Sequence, residues 1–293
     1  MSDLLDLAQR QQYPCATLYV IAPPIGNAAD ITLRALHVLG LVDRIAAEDT
    51  RNTGQLLGLY GLSKPLLAVH EHNEREAAER IVECLRAGER VAYVSDAGTP
   101  GVSDPGAKLV DAVREAGLAV VPLPGASAVT TAVCAAGDFV GTFSFLGFLP
   151  TKAKQRAAHL QSLAAHPHAM VFYEAPHRIV ETVQALADAF GGERQLLVAR
   201  ELTKLHEAIH RCTLAEGPMW LAADPNRQRG EFVLVVQGAP ARTNEDEAAH
   251  DALLALLLEE VSVSSAARLA AAITGASRNA LYARALEMSK REG

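Results

Sequence analysis

Arg90-Val91-Ala92-Tyr93-Val94-Ser95-Asp96-Ala97-Gly98-Thr99-Pro100-Gly101-Val102-Ser103-Asp104-Pro105-Gly106 is the stretch on which the reading of this chain turns. RVAYV is a short apolar run rich in β-favouring residues, and a loop of small residues, glycines and prolines stops it. A helical pattern over residues 108–115 follows. The same grammar recurs on both sides. TLYVIA (17–22) reads as a buried strand that ends at Pro23-Pro24-Ile25-Gly26-Asn27, and LAVVPL (118–123) enters PGASA at the start of another helix. Strands separated by helices pair in parallel through right-handed crossovers, and ligands of such sheets sit outside the carboxyl ends of the strands. Three unusual loops, 23–27, 96–106 and 124–128, fall at those ends.

Between these anchors, DRIAAED (43–49) reads as a strand and residues 50–61 as a helix. A charged helix over 74–87 carries Ala77, Ala78, Ile81, Val82 and Leu85 as its apolar stripe. A second α/β unit begins near Phe139. It comprises FSFLGF, a helix over 151–165, the strand AMVFYEA, the helix HRIVETVQALADAF, the strand QLLVARE, less regular chain, and the closing strand EFVLVVQG. GAPARTNEDE (238–247) reads as a polar linker, and residues 248–293 look wholly helical, with Gly275 between two helices. The expected units are therefore 1–137, 138–238 and 248–293.

Composition narrows the function. A formal net charge of −7 argues against a nonspecific nucleic-acid coat protein, while leaving room for a local basic surface. Cys15, Cys84, Cys134 and Cys212 lie far apart without a CxxC pair, which disfavours a disulfide framework or a cysteine-rich zinc site. The N-terminus carries acids where a signal peptide carries cations. The longest charge-free stretch, 116–137, is broken by Pro122, Pro124 and Gly125. A soluble, cytoplasmic protein is the expectation.

Small residues in the 96–101 loop let backbone amides approach a ligand, and a carboxylate there can bind a ribose or an amine. Residues 124–128 place free N–H groups and the Ser127 hydroxyl at a helix start. Each loop alone reads equally as a tight turn; three on one sheet edge favour a site. Neither GxxxxGK[ST] nor a GxGxxG after the first strand occurs, so phosphate cradles of those kinds are disfavoured.

LYVIAPPIGNAADITLRAL, IAAEDTRNT, HEHNE, VSDAGTPGVSDPG, LPGASA, FYEAPHR and ARELTKLHE, in this order and spacing, resemble the small-subunit ribosomal RNA (cytidine-2′-O)-methyltransferase family within the tetrapyrrole-methylase superfold. The resemblance spans residues 17–238, and the family also carries a helical C-terminal extension. It implies a homodimer of chains with two α/β domains of the tetrapyrrole-methylase type, with S-adenosylmethionine in the cleft between the domains. Carried over by position, Pro24 and Ile25 line the first loop. Asp96, Ala97, Thr99 and Gly101 hold the ribose and methionine parts. Ser127 and Ala128 complete the near side, and Phe172, Tyr173 and Glu174 approach from the second domain. Pro23, Ala126 and Ala175 depart from the family's usual Thr, Pro and Ser and blur the detailed contacts.

Methyl transfer to a ribose hydroxyl needs the oxygen in line with the methyl–sulfur bond, and a base or orienting residue helps because the hydroxyl is a poor nucleophile. The sulfonium is already the electrophile, so no metal is needed. Candidates are Glu48, Asp49 and Arg51 in AEDTR, and His72 and Asn73 in HEHNE; a polar interface network is the other reading. Residues 139–173 hold no acid but include Lys152, Lys154 and Arg156, an expected RNA-facing surface or an ordinary solvated helix face.

Two rivals come from other classes. His206-Glu207-Ala208-Ile209-His210 matches the HExxH zinc-hydrolase motif, which works only on a helix. SSAARLAAAITGASRNALYARALEM (264–288) resembles a helix-turn-helix, opening a DNA-binding regulator beside an RNA-docking role or a plain helical hairpin.

Overall fold

The computed structural model describes residues 2–70, 73–240 and 244–291. In the first unit, β1 (Thr17–Ile21), β2 (Arg44–Ala47), β3 (Leu66–Ala68), β4 (Arg90–Val94) and β5 (Ala119–Pro122) form a sheet of order β3-β2-β4-β1-β5. Every pairing is parallel. The helices are α1 (Ser2–Gln9), α2 (Leu33–Leu41), α3 (Thr50–Leu59), α4 (Glu74–Arg86), α5 (Ala107–Glu115) and α6 (Ala128–Ala136).

Strand periodicity explains why β1 and β4 are apolar after their first residues, Thr17 and Arg90. Leu18, Val91 and Tyr93 point to one face, under Ile81, Leu85 and Leu109 of α4 and α5. Tyr19, Ile21, Ala92 and Val94 point to the other, against Val38 and Leu39 of α2. A central parallel strand is covered on both faces, so neither set of alternate residues can be polar. The five expected stripe residues of α4 are all buried, and the helix is turned by them.

The second unit pairs β6 (Phe143–Phe148), β7 (Ala169–Glu174), β8 (Gln195–Arg200), β9 (Ala208–Thr213) and β10 (Phe232–Val236) in the order β6-β7-β10-β8-β9. Only β6 and β7 are parallel to each other; the remaining pairs are antiparallel. α7 (Ala153–Leu163), α8 (Ile179–Phe190) and α9 (Gly217–Ala222) belong to this unit. Met170 and Phe172 enter the core beneath α8. The opposite face of the sheet, with Val171, Leu197, Val233 and Val235, packs against Val129, Ala132 and Ala136 of α6. α6 follows the first sheet in the chain yet is clamped to the second. The two units thus share a core at the seam where the three loops lie.

β9 and α9 occupy chain that the sequence reading left irregular. β9 is an edge strand whose polar His210 and Arg211 hide its pattern. The C-terminal segment is formed by α10 (Asn244–Glu260), α11 (Val263–Thr274) and α12 (Arg278–Arg291), with Gly275 between the last two. α10 starts inside the stretch expected to be linker. Leu254, Ala267, Ala270, Leu281 and Ala285 give these helices a core of their own. Gly275 ends α11 in the left-handed conformation (φ 71°), which glycine adopts without a Cβ clash. Among the described residues no helix is long and apolar enough to cross a membrane.

Candidate active site

The loops after β1, β4 and β5 are tied to one another. Gly98 donates its N–H to the Pro23 carbonyl at 3.0 Å. Thr99 donates its hydroxyl to the Ala126 carbonyl at 3.0 Å. Buried Ser95 donates to the Gly98 carbonyl at 3.0 Å, closing the turn on itself. Gly98 has φ +76°, and a Cβ there would stand 3.1 Å from Ile25 Cγ2. Glycine is required on both counts.

The far end of the long loop is fixed as firmly. The buried Glu74 carboxylate accepts from the N–H groups of Gly106 and Lys108, at 3.0 and 3.1 Å, and so caps α5. Tyr93 donates its hydroxyl to the Pro105 carbonyl at 2.8 Å. Between these anchors Ser103 sits at φ +66°, uncommon for a residue with a Cβ. The loop is therefore held open rather than collapsed, and Asp104 is carried on its inner side.

A cleft of about 420 Å³ runs along the seam. Ile25, Ala97, Gly98, Thr99 and Ala128 line it from the first unit. Phe148, Tyr173, Glu174, Ala175 and Val233 line it from the second. The Tyr173 ring meets Phe145 and Phe148 edge-on, with centroids 4.8 and 5.6 Å away.

Three carboxylates belong to the wall: Asp104, Glu174 and Glu231. Glu174 is fully engaged: it accepts from the Ala175 N–H at 2.8 Å, from Arg178 at 2.8 and 2.9 Å, and from the Thr182 hydroxyl at 2.6 Å. Glu231 accepts from Lys204 Nζ at 2.6 Å, and the same ammonium reaches Glu201 at 2.9 Å. Asp104 has no hydrogen-bond donor among the described residues. Burial pushes its carboxyl up to about 6, and the nearby Glu48 and Asp96 charges add to the shift. Glu48 is raised by burial too, although the Asp96 N–H donates to it at 3.3 Å.

Of the expected cofactor residues, Ile25, Ala97, Thr99, Ala128, Tyr173 and Glu174 line the cleft. Pro24 is buried in the loop. Gly101 faces a separate small cavity beside Tyr93. Ser127 starts α6, and its carbonyl accepts the Thr131 hydroxyl at 2.8 Å. Asp96 is turned toward α3, accepting from the Asp49 N–H at 3.1 Å and from Asn52 at 3.3 Å. Phe172 is wholly buried beneath β7: in a strand its side chain points opposite to Tyr173, so it cannot reach a ligand in the cleft.

Of the expected catalytic set, Glu48, Asp49, Arg51 and Asn73 are not among the residues that line the cleft. Asp49 caps α3 and is held at about 2 by Arg51. Asn73 bridges the turn before α4, accepting from the His70 N–H at 2.8 Å and donating to the Ala68 carbonyl at 3.0 Å. His72 lies outside the described residues. Lys152 and Lys154 are exposed where α7 begins, but Arg156 is only 2% exposed, and its two terminal nitrogens donate to Glu181 and the Thr151 carbonyl. That corrects its expected place on an RNA-facing surface. Sequence reasoning passed over Asp104, although the quoted loop contains it, and over Phe148 and Lys204, which lie in FSFLGF and ARELTKLHE. Glu231 carries no sequence signal.

HExxH is not helical here. His206 and Glu207 lie in a turn, β9 begins at Ala208, and His210 stacks on Trp220 with centroids 4.1 Å apart. The i,i+4 geometry that would pair the two histidines on a helix is absent, and no His/Cys/Asp/Glu group among the described residues could hold a metal.

Residues 17–217 match the model of the Tetrapyrrole (Corrin/Porphyrin) Methylases, and residues 244–289 match the RsmI C-terminal HTH domain. The Haemophilus influenzae protein named ribosomal RNA small subunit methyltransferase I is 48% identical, covering 90% of this chain and 94% of its own. The Pseudomonas aeruginosa protein of the same name is also 48% identical, covering 92% and 97%. Among solved structures, uroporphyrin-III C-methyltransferase from Thermus thermophilus complexed with S-adenyl homocysteine aligns with a TM-score of 0.53. It is 16% identical and covers 75% of this chain and 97% of its own, which speaks to the fold. The chain belongs to the tetrapyrrole methylase family and, within it, to the ribosomal RNA small subunit methyltransferase I proteins.

Proposed function

We propose that this chain transfers the methyl group of S-adenosylmethionine to the 2′-hydroxyl of a cytidine in small-subunit ribosomal RNA. The cleft carries the reading: three interlocked loops at the carboxyl ends of parallel strands, closed by the YEAP segment of a second sheet. Its chemistry fits the cofactor. An apolar wall of Ile25, Phe148, Tyr173 and Val233 stands opposite an unneutralised Asp104, and an amphipathic ligand bearing a cation needs both. The relatives are ribosomal RNA small subunit methyltransferases, which points to an RNA acceptor, and the solved neighbour is complexed with S-adenyl homocysteine, the demethylated cofactor.

Ile25, Ala97, Thr99, Ala128 and Tyr173 would hold the cofactor directly. Pro24, Asp96, Gly101, Ser127, Phe172 and Glu174 would shape the loops and strand that do so. Bound there, S-adenosylmethionine supplies an electrophilic methyl carbon and leaves as a neutral thioether. The protein's part is to hold the ribose oxygen in line, exclude water and take up a proton. Lys152 and Lys154 would meet RNA phosphates near the cleft. The three C-terminal helices would dock the RNA, and the resemblance points to a homodimer working in the cytoplasm.

Small ribosomal subunits lacking the modification, incubated with methyl-labelled cofactor, should gain label on one cytidine 2′-oxygen. Cofactor binding without RNA labelling would keep the fold and cofactor and reject this acceptor.

A further inference from the structure

Resting on that reading, we infer that Asp30 reads the base of the acceptor nucleotide, its carboxylate accepting the N4 amine of cytosine in a second pocket beside the cofactor cleft. Ile25, Asp30, Thr32, Ala126, Thr131 and Thr203 are in the wall of this pocket, which has a volume of about 400 Å³. That lies within the range of small-molecule sites, about 300–1,000 Å³. Ile25 belongs to the walls of both pocket and cleft. The hydrogen bond from the Thr99 hydroxyl, in the cleft wall, to the Ala126 carbonyl, in the pocket wall, joins them a second time. A base in the pocket and a cofactor in the cleft would therefore be neighbours across one layer of side chains, with the ribose at their common rim.

Asp30 is set in place by its own turn. It ends a single turn of 3₁₀ helix, Ala28–Asp30, in which the Asn27 side chain accepts from the Ala29 N–H at 3.0 Å. Tyr60 of the neighbouring helix end donates its hydroxyl to the Ala28 carbonyl at 2.7 Å and holds the turn from outside. Among the described residues none donates a hydrogen bond to the exposed Asp30 carboxylate, so its lone pairs are open to a ligand. The Thr32 oxygen accepts from the Ala35 N–H at 3.1 Å, which leaves its own proton to donate. Thr203 is a β-branched residue held at φ +69°, and its buried hydroxyl has no partner. Strain and an unpaired buried oxygen in one residue are a common mark of a binding site, and a ligand in the pocket would give that hydroxyl its partner. The Watson–Crick edge of cytosine presents one donor, the N4 amine, and two acceptors, N3 and O2. One carboxylate and two hydroxyls are its complement. Uracil would instead set its O4 against the carboxylate with no proton between them. A stacked nucleotide must be turned out of its helix to be read in this way.

The test compares small subunits lacking the modification with matched subunits that carry uridine at the target position. For the full-length wild-type protein, kcat/KM should be about tenfold or more higher on cytidine than on uridine. Asp30→Asn keeps the shape of the side chain, but its amide can donate to uracil O4 and accept from N3–H. It should lose about tenfold on cytidine and bring the two substrates within about threefold of each other. Calorimetric affinity for S-adenosylmethionine should stay within a few-fold, because Asp30 is outside the cleft wall. Equal wild-type rates on cytidine and uridine would overturn the inference, and that result is readable even if the variant misfolds. So would an Asp30→Asn rate on cytidine within about threefold of wild type, or equal losses on both bases, which would mark a structural role. Wild-type protein that binds cofactor but labels neither subunit would reject the parent reading, and this inference with it.

Discussion

Gly26 and Lys204, from different domains, touch so closely that a Cβ on Gly26 would stand 2.4 Å from Lys204 Cγ. Lys204 cannot easily yield, because its ammonium is fastened to both Glu201 and Glu231. The contact sets how tightly the first loop closes on the second sheet. Gly26→Ala should cost about 1–3 kcal/mol through overpacking. Urea unfolding should show this, together with weaker cofactor binding. Unchanged affinity would mean that the loop and the second domain close independently.

Arg178 holds the base of the cleft. Its guanidinium pairs with Glu174 and donates to the Leu149 carbonyl at 2.9 Å, joining β7 to the chain after β6. The Glu174 side chain is 0% exposed and that of Arg178 10%, so truncating one partner strands the other without water. Arg178→Ala should lose about 3–5 kcal/mol of stability. Combining it with Glu174→Ala should cost less than the sum of the two single changes, and additive losses would deny the pairing.

The first sheet was legible because a parallel strand buried on both faces must be apolar along its interior, and LYVI and VAYV, after the first residue of each strand, are. The stripe of α4 was legible for the same reason at helical spacing. β9 was not, since an edge strand tolerates Arg211 and His210, and its spacing imitates a metal helix. Arg156 was misread because charge in a sequence does not say which way a helix face turns; here Glu181 on α8 draws it inward. Phe172 was placed in the site by motif position, although strand alternation already opposed it to Tyr173. Asp104 was hidden among loop residues. Its distinction is the absence of a donor, which only three-dimensional placement reveals.

Phe148 is 56% exposed at the mouth of the cleft, edge-on to Tyr173 and close in the chain to Lys152 and Lys154. Single-stranded bases are commonly received on such rings. Phe148→Ala should raise the KM for the small subunit by about tenfold, the low end of a lost base–aromatic stack, and spare cofactor affinity. Phe148→Tyr should restore it. A loss confined to cofactor binding would assign Phe148 to the cofactor wall alone.

Arg268 on α11 and Arg278 at the start of α12 are both exposed, on helices whose core is their own. If these helices dock RNA, the pair should carry part of the salt dependence. Arg268→Glu/Arg278→Glu should weaken binding to the small subunit and lower the slope of log K against log salt by about 1.4–1.8, two phosphate contacts. An unaltered slope would remove these residues from the RNA surface.

Asp104 should also make the fold less stable at the pH where the enzyme works. In the unfolded chain its carboxyl titrates near 3.8, in the folded protein near 6. Between those values the folded state binds more protons, so this group's contribution to stability falls as pH rises from about 4 through 6 and then levels off. Asp104→Asn carries no such charge. It should match wild type near pH 4 and exceed it above pH 6, by a margin on the order of 1 kcal/mol once solvent screening of a half-exposed group is allowed for. Thermal melts across that range would show the two curves separating as pH rises. Curves that stay parallel would mean that the carboxylate is well solvated where it stands.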